Sequence, residues 1–231
     1  MGQGGLDGGG VGMTPYYEQD GITIYHGDCR ELLAQMPSVD HVLTDPPYGI
    51  DYGNGGGFSA KHGWATRKGA AEWDKKRPEA ELIAACIAKG KHSILWGANY
   101  FVDALDWSHK NKWLIWDKCQ TDFSLADAEL AWCSWDGAIR RFSYARALAL
   151  KDGKQHPTQK PLELMVWCIT NFPNFQHASG PILDPFMGSG TTLVAAKKVG
   201  WSAIGVEIDE KYCEIAAKRL AQGALPMEFS A

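Results

Sequence analysis

The sequence predicts an α/β fold with a mostly parallel, doubly wound sheet. Short apolar runs that suit buried strands alternate along the chain with segments that suit helices, which is the order of strand–helix–strand units. Two of these runs end in an aspartate followed by proline, at Asp45 and at Asp184. The length of 231 residues fits one such domain. We therefore expect helices on both faces of one sheet and ligand-binding residues at the carboxyl ends of its strands.

The composition points to an ordinary globular protein. Hydrophobic residues make up 45% of the chain and charged residues 22%, and the net charge of −4 does not by itself point to a nucleic-acid partner. Net charge is a poor guide, however, where basic residues cluster. The six cysteines form no Cys-x-x-Cys pair, so we expect no metal site and a reduced, cytoplasmic protein. No secretory signal and no apolar run of about 18 residues occurs, so we expect no membrane association.

The first half of the chain predicts a right-handed strand–helix–strand unit. Its predicted elements are a strand at 21–26, a helix at 30–36 and a strand at 41–44. Asp28 or Cys29 lies where a helix cap is expected, and Pro37 follows the helix. Further along, the pattern predicts a helix at 79–89 and strands at 93–96, 112–116 and 128–135.

A proline-rich turn ends the strand predicted at 41–44. The chain runs Asp45-Pro46-Pro47-Tyr48, and proline lacks the N–H that an internal strand needs. The strand therefore stops at Asp45, and the turn lies at the sheet edge where open α/β proteins bind ligands. We predict that Asp45, Pro46, Pro47 and Tyr48 carry the chemistry.

Residues 182–192 predict a strand, a glycine turn and the start of a helix. Gly188 and Gly190 allow close backbone approach and positive φ, and Gly200 ends the helix. The next strand, at 202–206, leads into Glu207, which follows Gly190 by 17 positions and suits a carboxylate that binds ribose hydroxyls. The third glycine of a dinucleotide fingerprint and a G-x-x-x-x-G-K phosphate loop are both missing. This pattern favours a nucleoside ligand without a pyrophosphate, such as S-adenosylmethionine.

Two polar segments carry clusters of basic residues. The first, 51–77, contains Lys61, Arg67 and Lys68, and the second, 137–155, contains Arg140, Arg141 and Arg146. Phe142 and Tyr144 are interleaved in the second segment. Because cations bind phosphates and aromatic rings stack on bases, we predict a mobile loop and an insertion that contact DNA. A solvated loop and a solvated hairpin are the alternatives. After these segments, Pro161 suits the first position of a helix that runs to about Asn171.

Taken together, the motifs resemble the β class of S-adenosylmethionine-dependent DNA amino-methyltransferases. D-P-P-Y resembles the family's catalytic motif, and residues 184–192 followed by 206–209 resemble its cofactor motifs. The stretch 156–161, His-Pro-Thr-Gln-Lys-Pro, is similar to the motif that borders the methionine end of the cofactor, and 27–29 to the acidic motif near its adenine. The cofactor-binding residues that this resemblance implies are Asp28, Cys29, Asp45, Thr158, Lys160, Asp184, Phe186, Gly188, Ser189, Gly190, Thr191, Thr192, Glu207 and Ile208.

The order of the motifs, with D-P-P-Y first, implies a circularly permuted, seven-stranded Rossmann-like sheet. In that arrangement the strand that ends at Glu207 is last in the chain, and its neighbour in the sheet, which ends near Asp28, is first. We expect the methyltransferase domain to span 14–222. Residues 1–13 are expected to be a disordered extension and 223–231 a tail.

The resemblance also implies a mechanism. Asp45 and the Pro46 carbonyl would accept the two hydrogens of an exocyclic amine, and Tyr48 would stack on a base flipped out of double-stranded DNA. Aspartate at position 45 is commoner among the adenine enzymes of this family. The chain contains no Pro-Cys dipeptide, which argues against methylation of a cytosine carbon. The expected activity is therefore adenine-N6 methylation, with a homodimer as a plausible assembly. The alternatives are cytosine-N4 methylation, RNA adenine methylation, and a catalytically weak nucleic-acid-binding module.

Overall fold

The computed structural model describes residues 13–50, 76–108, 111–121, 126–145, 148, 159–172 and 180–222. The described strands are β1 (Tyr17–Gln19), β2 (Ile22–His26), β3 (Val39–Thr44), β4 (Gly90–Trp96), β5 (Asn111–Asp117), β6 (Ala128–Asp136), β7 (Arg140–Ser143), β8 (Ile182–Asp184) and β9 (Ala203–Glu207). The described α-helices are α1 (Cys29–Gln35), α2 (Ala80–Ala88), α3 (Leu162–Thr170), α4 (Thr191–Lys198) and α5 (Glu210–Ala221). Two short 3₁₀ turns, Ala98–Tyr100 and Val102–Ala104, follow β4.

All nine described strands form one sheet in the order β1-β2-β9-β8-β3-β4-β6-β5-β7. The strands from β2 to β4 in this order are parallel to one another. The strand β6 runs antiparallel to both β4 and β5, and β1 runs antiparallel to β2. The predicted α/β class with a mostly parallel sheet is confirmed.

The described sheet has more strands than the seven expected. The additional strands lie at its two edges, where β1 pairs with β2 and β7 pairs with β5. The strand β7 falls inside the segment interpreted as a DNA-contacting insertion or a hairpin. It pairs in parallel with β5 instead of folding back on β6, so residues 140–143 form the edge of the sheet.

The circular permutation is confirmed by the pairing of the chain's early and late strands. His26 of β2 lies beside Glu207 of β9, and the Gly27 amide donates to the Glu207 carbonyl at 2.9 Å. The carboxyl ends of β2 and β9 are therefore adjacent, although 181 positions separate His26 from Glu207.

Alternating side chains along the strands pack against helices on opposite faces, as the two-residue period of a strand requires. Leu43 and Ile94 belong to the cluster that α3, α4 and α5 cover, whereas Val42 belongs to the cluster that α1 and α2 cover. Leu95 packs with Ile83 of α2 on that second face. The sheet is thus doubly wound, as predicted.

Helix ends agree with the sequence pattern at most positions. Asp28 caps α1 by accepting from the Arg30 amide, and Gly200 follows α4 with a φ of +78°. Pro161 occupies the N-cap position of α3, one residue before the position expected for it. None of the helices among the described residues is long and apolar enough to cross a membrane.

Candidate active site

Parallel pairing brings four sequence motifs to one edge of the sheet. The strands β3, β8 and β9 end at Thr44, Asp184 and Glu207, and Asp28 follows the end of β2. Thr44 donates through its hydroxyl to Asp184 Oδ1 at 2.7 Å, which joins the ends of two of these strands. Residues far apart in the chain therefore line one crevice, at the place where α/β sheets bind ligands.

The centre of the site is the carboxylate of Asp45. The Tyr48 hydroxyl donates to Asp45 Oδ1 at 2.5 Å, and the Lys160 ammonium donates to Asp45 Oδ2 at 2.5 Å. Lys160 also donates to the Tyr48 hydroxyl at 3.0 Å. Three side chains from two distant motifs thus hold one another in a closed triangle, and the orientation of the carboxylate is fixed.

Exposure differs sharply within this triangle. The Asp45 side chain keeps 17% of its surface exposed, whereas that of Lys160 keeps 3%. A ligand can therefore reach the carboxylate but not the ammonium. Lys160 was expected to bind cofactor, and in the structure its contacts are to protein oxygens; its role toward cofactor stays a prediction.

The charges in the triangle are set by burial and by the partners. Burial raises the pKa of Asp45, and the positive charge of Lys160 acts against that rise. Burial alone would lower the pKa of Lys160, but Asp45 and Glu129 outweigh it, so the pKa of Lys160 is raised. Burial and the Asp45 charge raise the pKa of Tyr48 well above its ordinary value, so its hydroxyl stays a neutral donor.

The ring of Tyr48 is held from the side of β4. Tyr100 stacks on it with ring centroids 4.7 Å apart and an angle of 14° between the planes. Arg77 donates to the Tyr100 carbonyl and forms an ion pair with Asp103, which anchors this segment. Tyr100 thus covers one face of Tyr48, so the predicted stacking on a base is left to the rest of the ring. The sequence alone gave no signal for Tyr100.

The glycine loop and the acidic strand end form one unit. The Gly188 amide donates to Glu207 Oε2 at 2.9 Å, and the Asp209 amide donates to Glu207 Oε1 at 2.9 Å. Each carboxylate oxygen has a second lone pair, which can accept a hydrogen bond from a ligand hydroxyl. The next residue, Ile208, is apolar and 59% exposed, so it offers a surface for a ring beside that carboxylate.

Arg219 of α5 fixes the same loop from behind. Its Nη1 donates to the Ser189 carbonyl at 2.5 Å, to Ser189 Oγ at 3.1 Å and to Thr191 Oγ1 at 3.2 Å. Ser189 Oγ donates in turn to Gln159 Oε1 at 3.1 Å. Sequence reasoning did not find Arg219, because a basic residue late in a helix usually has no partner beyond solvent.

Asp184 has partners inside the protein. Besides Thr44, it accepts from the Phe186 amide at 3.2 Å, and its side chain is buried. Burial raises its pKa to about 6, although hydrogen bonds from Thr192, Thr44 and the Phe186 amide act to lower it. In this structure Asp184 joins the ends of β3 and β8 to the loop that follows β8. Its expected contact with the cofactor stays a prediction.

Asp28 and Cys29 hold the start of α1. Asp28 Oδ1 accepts from the Arg30 amide at 2.9 Å, and Asp28 Oδ2 pairs with the Arg30 guanidinium at 2.6 Å. Cys29 is buried in the core. Thr191 and Thr192 are likewise buried, at the start of α4. These positions shape the backbone around the crevice.

Of the residues predicted to bind DNA, only Arg140 and Arg141 are described. Both are exposed on β7, and Arg141 Nη1 lies 3.5 Å from Asp117 Oδ2. The interleaved Phe142 packs 5.3 Å from the ring of Trp167 against the core, because alternate residues of an edge strand face inward. Phe142 is therefore half-buried against the core, and its stacking on a base stays a prediction. Lys61, Arg67, Lys68, Arg146 and Thr158 lie outside the described residues.

Comparison with known proteins agrees with this arrangement. A family model described as DNA methylase matches residues 106–218. The type II methyltransferase M2.LlaDCHI of Lactococcus lactis subsp. cremoris is 28% identical over 267 residues, covering 94% of this chain and 96% of that protein.

Two solved structures share the fold. M1.HpyAVI in complex with SAM has a TM-score of 0.55 at 24% identity and covers 86% of this chain and 99% of its own. The cytosine-N4-specific PvuII DNA methyltransferase has a TM-score of 0.59 at 17% identity, covering 95% and 92%. The order of the motifs, the permuted strands and these similarities support an amino-methyltransferase of the kind that modifies adenine N6 or cytosine N4.

Proposed function

We propose that this protein is an S-adenosylmethionine-dependent DNA methyltransferase that methylates the N6 amine of adenine. The observation that carries the proposal is the Asp45 carboxylate, which Tyr48 and Lys160 hold at the carboxyl end of β3. It lies at the same sheet edge as the loop joined to Glu207. A fixed acceptor for amine hydrogens thus shares one crevice with a nucleoside-binding element.

The residues present fit S-adenosylmethionine. Glu207 would accept the ribose hydroxyls, Ile208 would pack on the adenine ring, and the loop at Gly188 would approach the ligand closely. When bound, the cofactor supplies an activated methyl group on its sulfonium. No group of three or more His, Cys, Asp or Glu within the described ranges is arranged to hold a metal ion.

The role of the protein's own residues is to orient the target nitrogen toward the methyl group. An exocyclic amine is a poor nucleophile, because its lone pair is delocalised into the base. Asp45 and the Pro46 carbonyl would accept the two amine hydrogens, which localises the lone pair and stabilises the positive charge that develops on the nitrogen. The burial that raises the pKa of Asp45 makes this carboxylate a better proton acceptor than an exposed one.

The finer features of the substrate follow from this geometry. A base paired within a duplex cannot reach Asp45, so we propose that the adenine is flipped out. Tyr48 would contact the flipped base on the part of its ring that Tyr100 leaves free. The exposed Arg140 and Arg141 would bind phosphates.

We further propose that residues 14–222 form the methyltransferase domain, and that the enzyme acts in the cytoplasm. A homodimer would supply a second DNA-binding surface. Sedimentation of the protein with and without duplex DNA tests this assembly: a monomer in both samples would contradict it.

Base analysis of the reaction product tests the proposed function. Unmethylated DNA is incubated with the protein and labelled S-adenosylmethionine, digested to nucleosides and separated by mass. Methyl on the adenine amine is the expected result. Methyl on the cytosine amine would keep the mechanism and change the substrate. Transfer only to RNA, or cofactor binding without any transfer, would overturn the proposal.

Replacing Asp45 by alanine tests the mechanism directly. Because the carboxylate acts on the target amine, we expect methyl transfer to fall by at least about 100-fold, while the affinity for cofactor changes little. Rates come from the same assay, and affinity from isothermal titration.

Asp136→Ala is the matched control for this experiment. Asp136 is an exposed aspartate at the end of β6. Because β6 is antiparallel to β4, Asp136 lies at the amino-terminal ends of the parallel strands, opposite to Asp45. We expect Asp136→Ala to keep wild-type activity. Persistent methylation by Asp45→Ala would refute the role given to the carboxylate.

A further inference from the structure

The network around Asp45 continues beyond Lys160 to two residues that no sequence motif indicated. Glu129 Oε2 of β6 lies 2.9 Å from Lys160 Nζ, and Glu129 Oε1 lies 2.6 Å from Lys118 Nζ. Lys118 follows β5, so three strands and the start of α3 contribute to one buried chain of charges. Along that chain the charges alternate in sign, from Asp45 through Lys160 and Glu129 to Lys118.

We propose that Glu129, supported by Lys118, is a positioning residue for methyl transfer, which holds Lys160 in place and shares its charge so that Asp45 remains a strong acceptor. This inference rests on the proposed function, because Asp45 is taken as the group that accepts the amine hydrogens.

The geometry shows why Lys160 needs a second anion. An ammonium has three N–H donors. Lys160 donates to Asp45 and to the Tyr48 hydroxyl, and Glu129 is the second anion beside its ammonium. The contact with Glu129 is an ion pair that lacks hydrogen-bond alignment. Without Glu129, the whole charge of Lys160 would face Asp45.

The charges around Glu129 also support a positioning role for this residue. Lys160 and Lys118 lower the pKa of Glu129 to about 2 although burial acts to raise it, so Glu129 is ionised at neutral pH. Its negative charge raises the pKa of Asp45 and that of Lys160. A carboxylate paired with one unshared cation is a weaker acceptor, so Glu129 preserves the basicity that methyl transfer uses.

Other titratable groups also face Asp45, and they must stay constant in a test. Besides Glu129 on β6, which the test replaces, they are Tyr48 on the same turn, Lys160 before α3 and Asp184 at the end of β8. Substitutions at Glu129 and Lys118 retain the Tyr48 and Asp184 side chains, and loss of the Glu129 charge acts to lower the pKa of Tyr48, which burial and Asp45 raise well above its ordinary value. Any change in the titration of Asp45 then reports on the proposed pair.

The test compares Glu129→Gln with Lys118→Met in the full-length protein. Carboxyl ¹³C NMR, with Asp45 assigned from Asp45→Asn, follows its titration in the absence of cofactor. In Glu129→Gln, loss of a negative charge lowers the pKa of Asp45, and the acidic limb of the kcat profile moves to lower pH. In Lys118→Met, loss of a positive charge raises the pKa of Asp45, and the acidic limb of the kcat profile moves to higher pH. We expect kcat at the plateau to fall about tenfold in Glu129→Gln, with cofactor affinity retained.

Two further variants separate positioning from stability. Glu18→Gln is the matched control, because Glu18 is an exposed glutamate in β1 of the same sheet, and it should leave both readouts unchanged. Glu129→Asp keeps the charge and should return the pKa of Asp45 toward the wild-type value. Thermal unfolding of every variant shows whether it folds.

An unchanged titration of Asp45 in both Glu129→Gln and Lys118→Met would overturn the inference, even if activity fell. If Glu129→Gln did not fold, the upward change in Lys118→Met would carry the test, and its absence would be the contrary result. Failure of the wild-type protein to methylate any base would instead refute the proposed function.

Discussion

Gly97 lies against the ring of Tyr48, directly after β4. Its φ of +66° is in the left-handed region, and a Cβ at this position would overlap the Tyr48 ring. Both properties favour glycine, but only the second concerns the active site. The position of Tyr48 therefore depends on a residue outside every recognised motif.

Replacing Gly97 by alanine should displace Tyr48 and break its hydrogen bond to Asp45. We expect methyl transfer to fall by about 10- to 100-fold, measured as kcat, with a loss of stability of about 1–2 kcal/mol from the positive φ.

Gly200→Ala is the control for Gly97→Ala. Gly200 has a φ of +78°, and no atom lies within 4 Å of a Cβ placed there. It should show the same order of destabilisation and wild-type activity. Equal activity in the two variants would contradict the role assigned to Gly97.

At the scale of elements, the strands β3 and β8 are joined at their carboxyl ends by Thr44 and Asp184. The same contact sets the distance between the Asp45–Tyr48 turn after β3 and the glycine loop after β8. Because Asp184 is buried, its pKa is raised from 3.8 to about 6. The stability of this junction should therefore depend on pH.

A raised native-state pKa means that the folded protein binds a proton which the unfolded chain releases at about pH 4. The stabilisation is fully present below about pH 4 and is lost as the pH rises through about 6. We expect the free energy of unfolding of the wild type, relative to Asp184→Asn, to fall by about 2 kcal/mol from pH 4 to pH 7.

Urea unfolding of both proteins across this pH range measures that difference. Using the difference between the two proteins removes the contribution of every other titrating group. A difference that is constant with pH would mean that Asp184 titrates normally in the folded state.

At the scale of the whole molecule, the sheet is assembled from both ends of the chain. The late strand β9 lies between β2 and β8, and α5 supplies Arg219 to the glycine loop. A chain that ends at Gly200 lacks both elements, so β2 has no partner toward the centre of the sheet.

We expect truncation after Gly200 to abolish cofactor binding and the cooperative thermal transition. Isothermal titration and differential scanning calorimetry measure the two losses. Arg219→Met is the milder companion, because it removes only the contacts with the loop and should weaken binding while the protein still folds. A truncated chain with unchanged cofactor affinity would refute this assembly.

Local sequence pattern predicted the strands that lead into Asp45 and Asp184, because each is a short apolar run stopped by proline. It also predicted the turn at Gly188 and Gly190, since glycine is needed where φ is positive. The edge strand β1 is only three residues long and the helix α5 lacked a recognised signal, so neither was predicted. For β7, a basic composition concealed an ordinary edge strand whose alternate side chains pack inward.

The sequence by itself determined the fold class, the Asp45–Tyr48 turn and the glycine loop, because each depends on residues close together in the chain, and the order of the motifs along the chain implied the permuted order of the strands. Only the tertiary structure decided which distant side chains complete the site. Lys160 meets Asp45 across 115 positions, and Glu129, Tyr100 and Arg219 enter through strand pairing and helix packing. Contacts between elements depend on register and orientation, and those are fixed when the whole sheet forms.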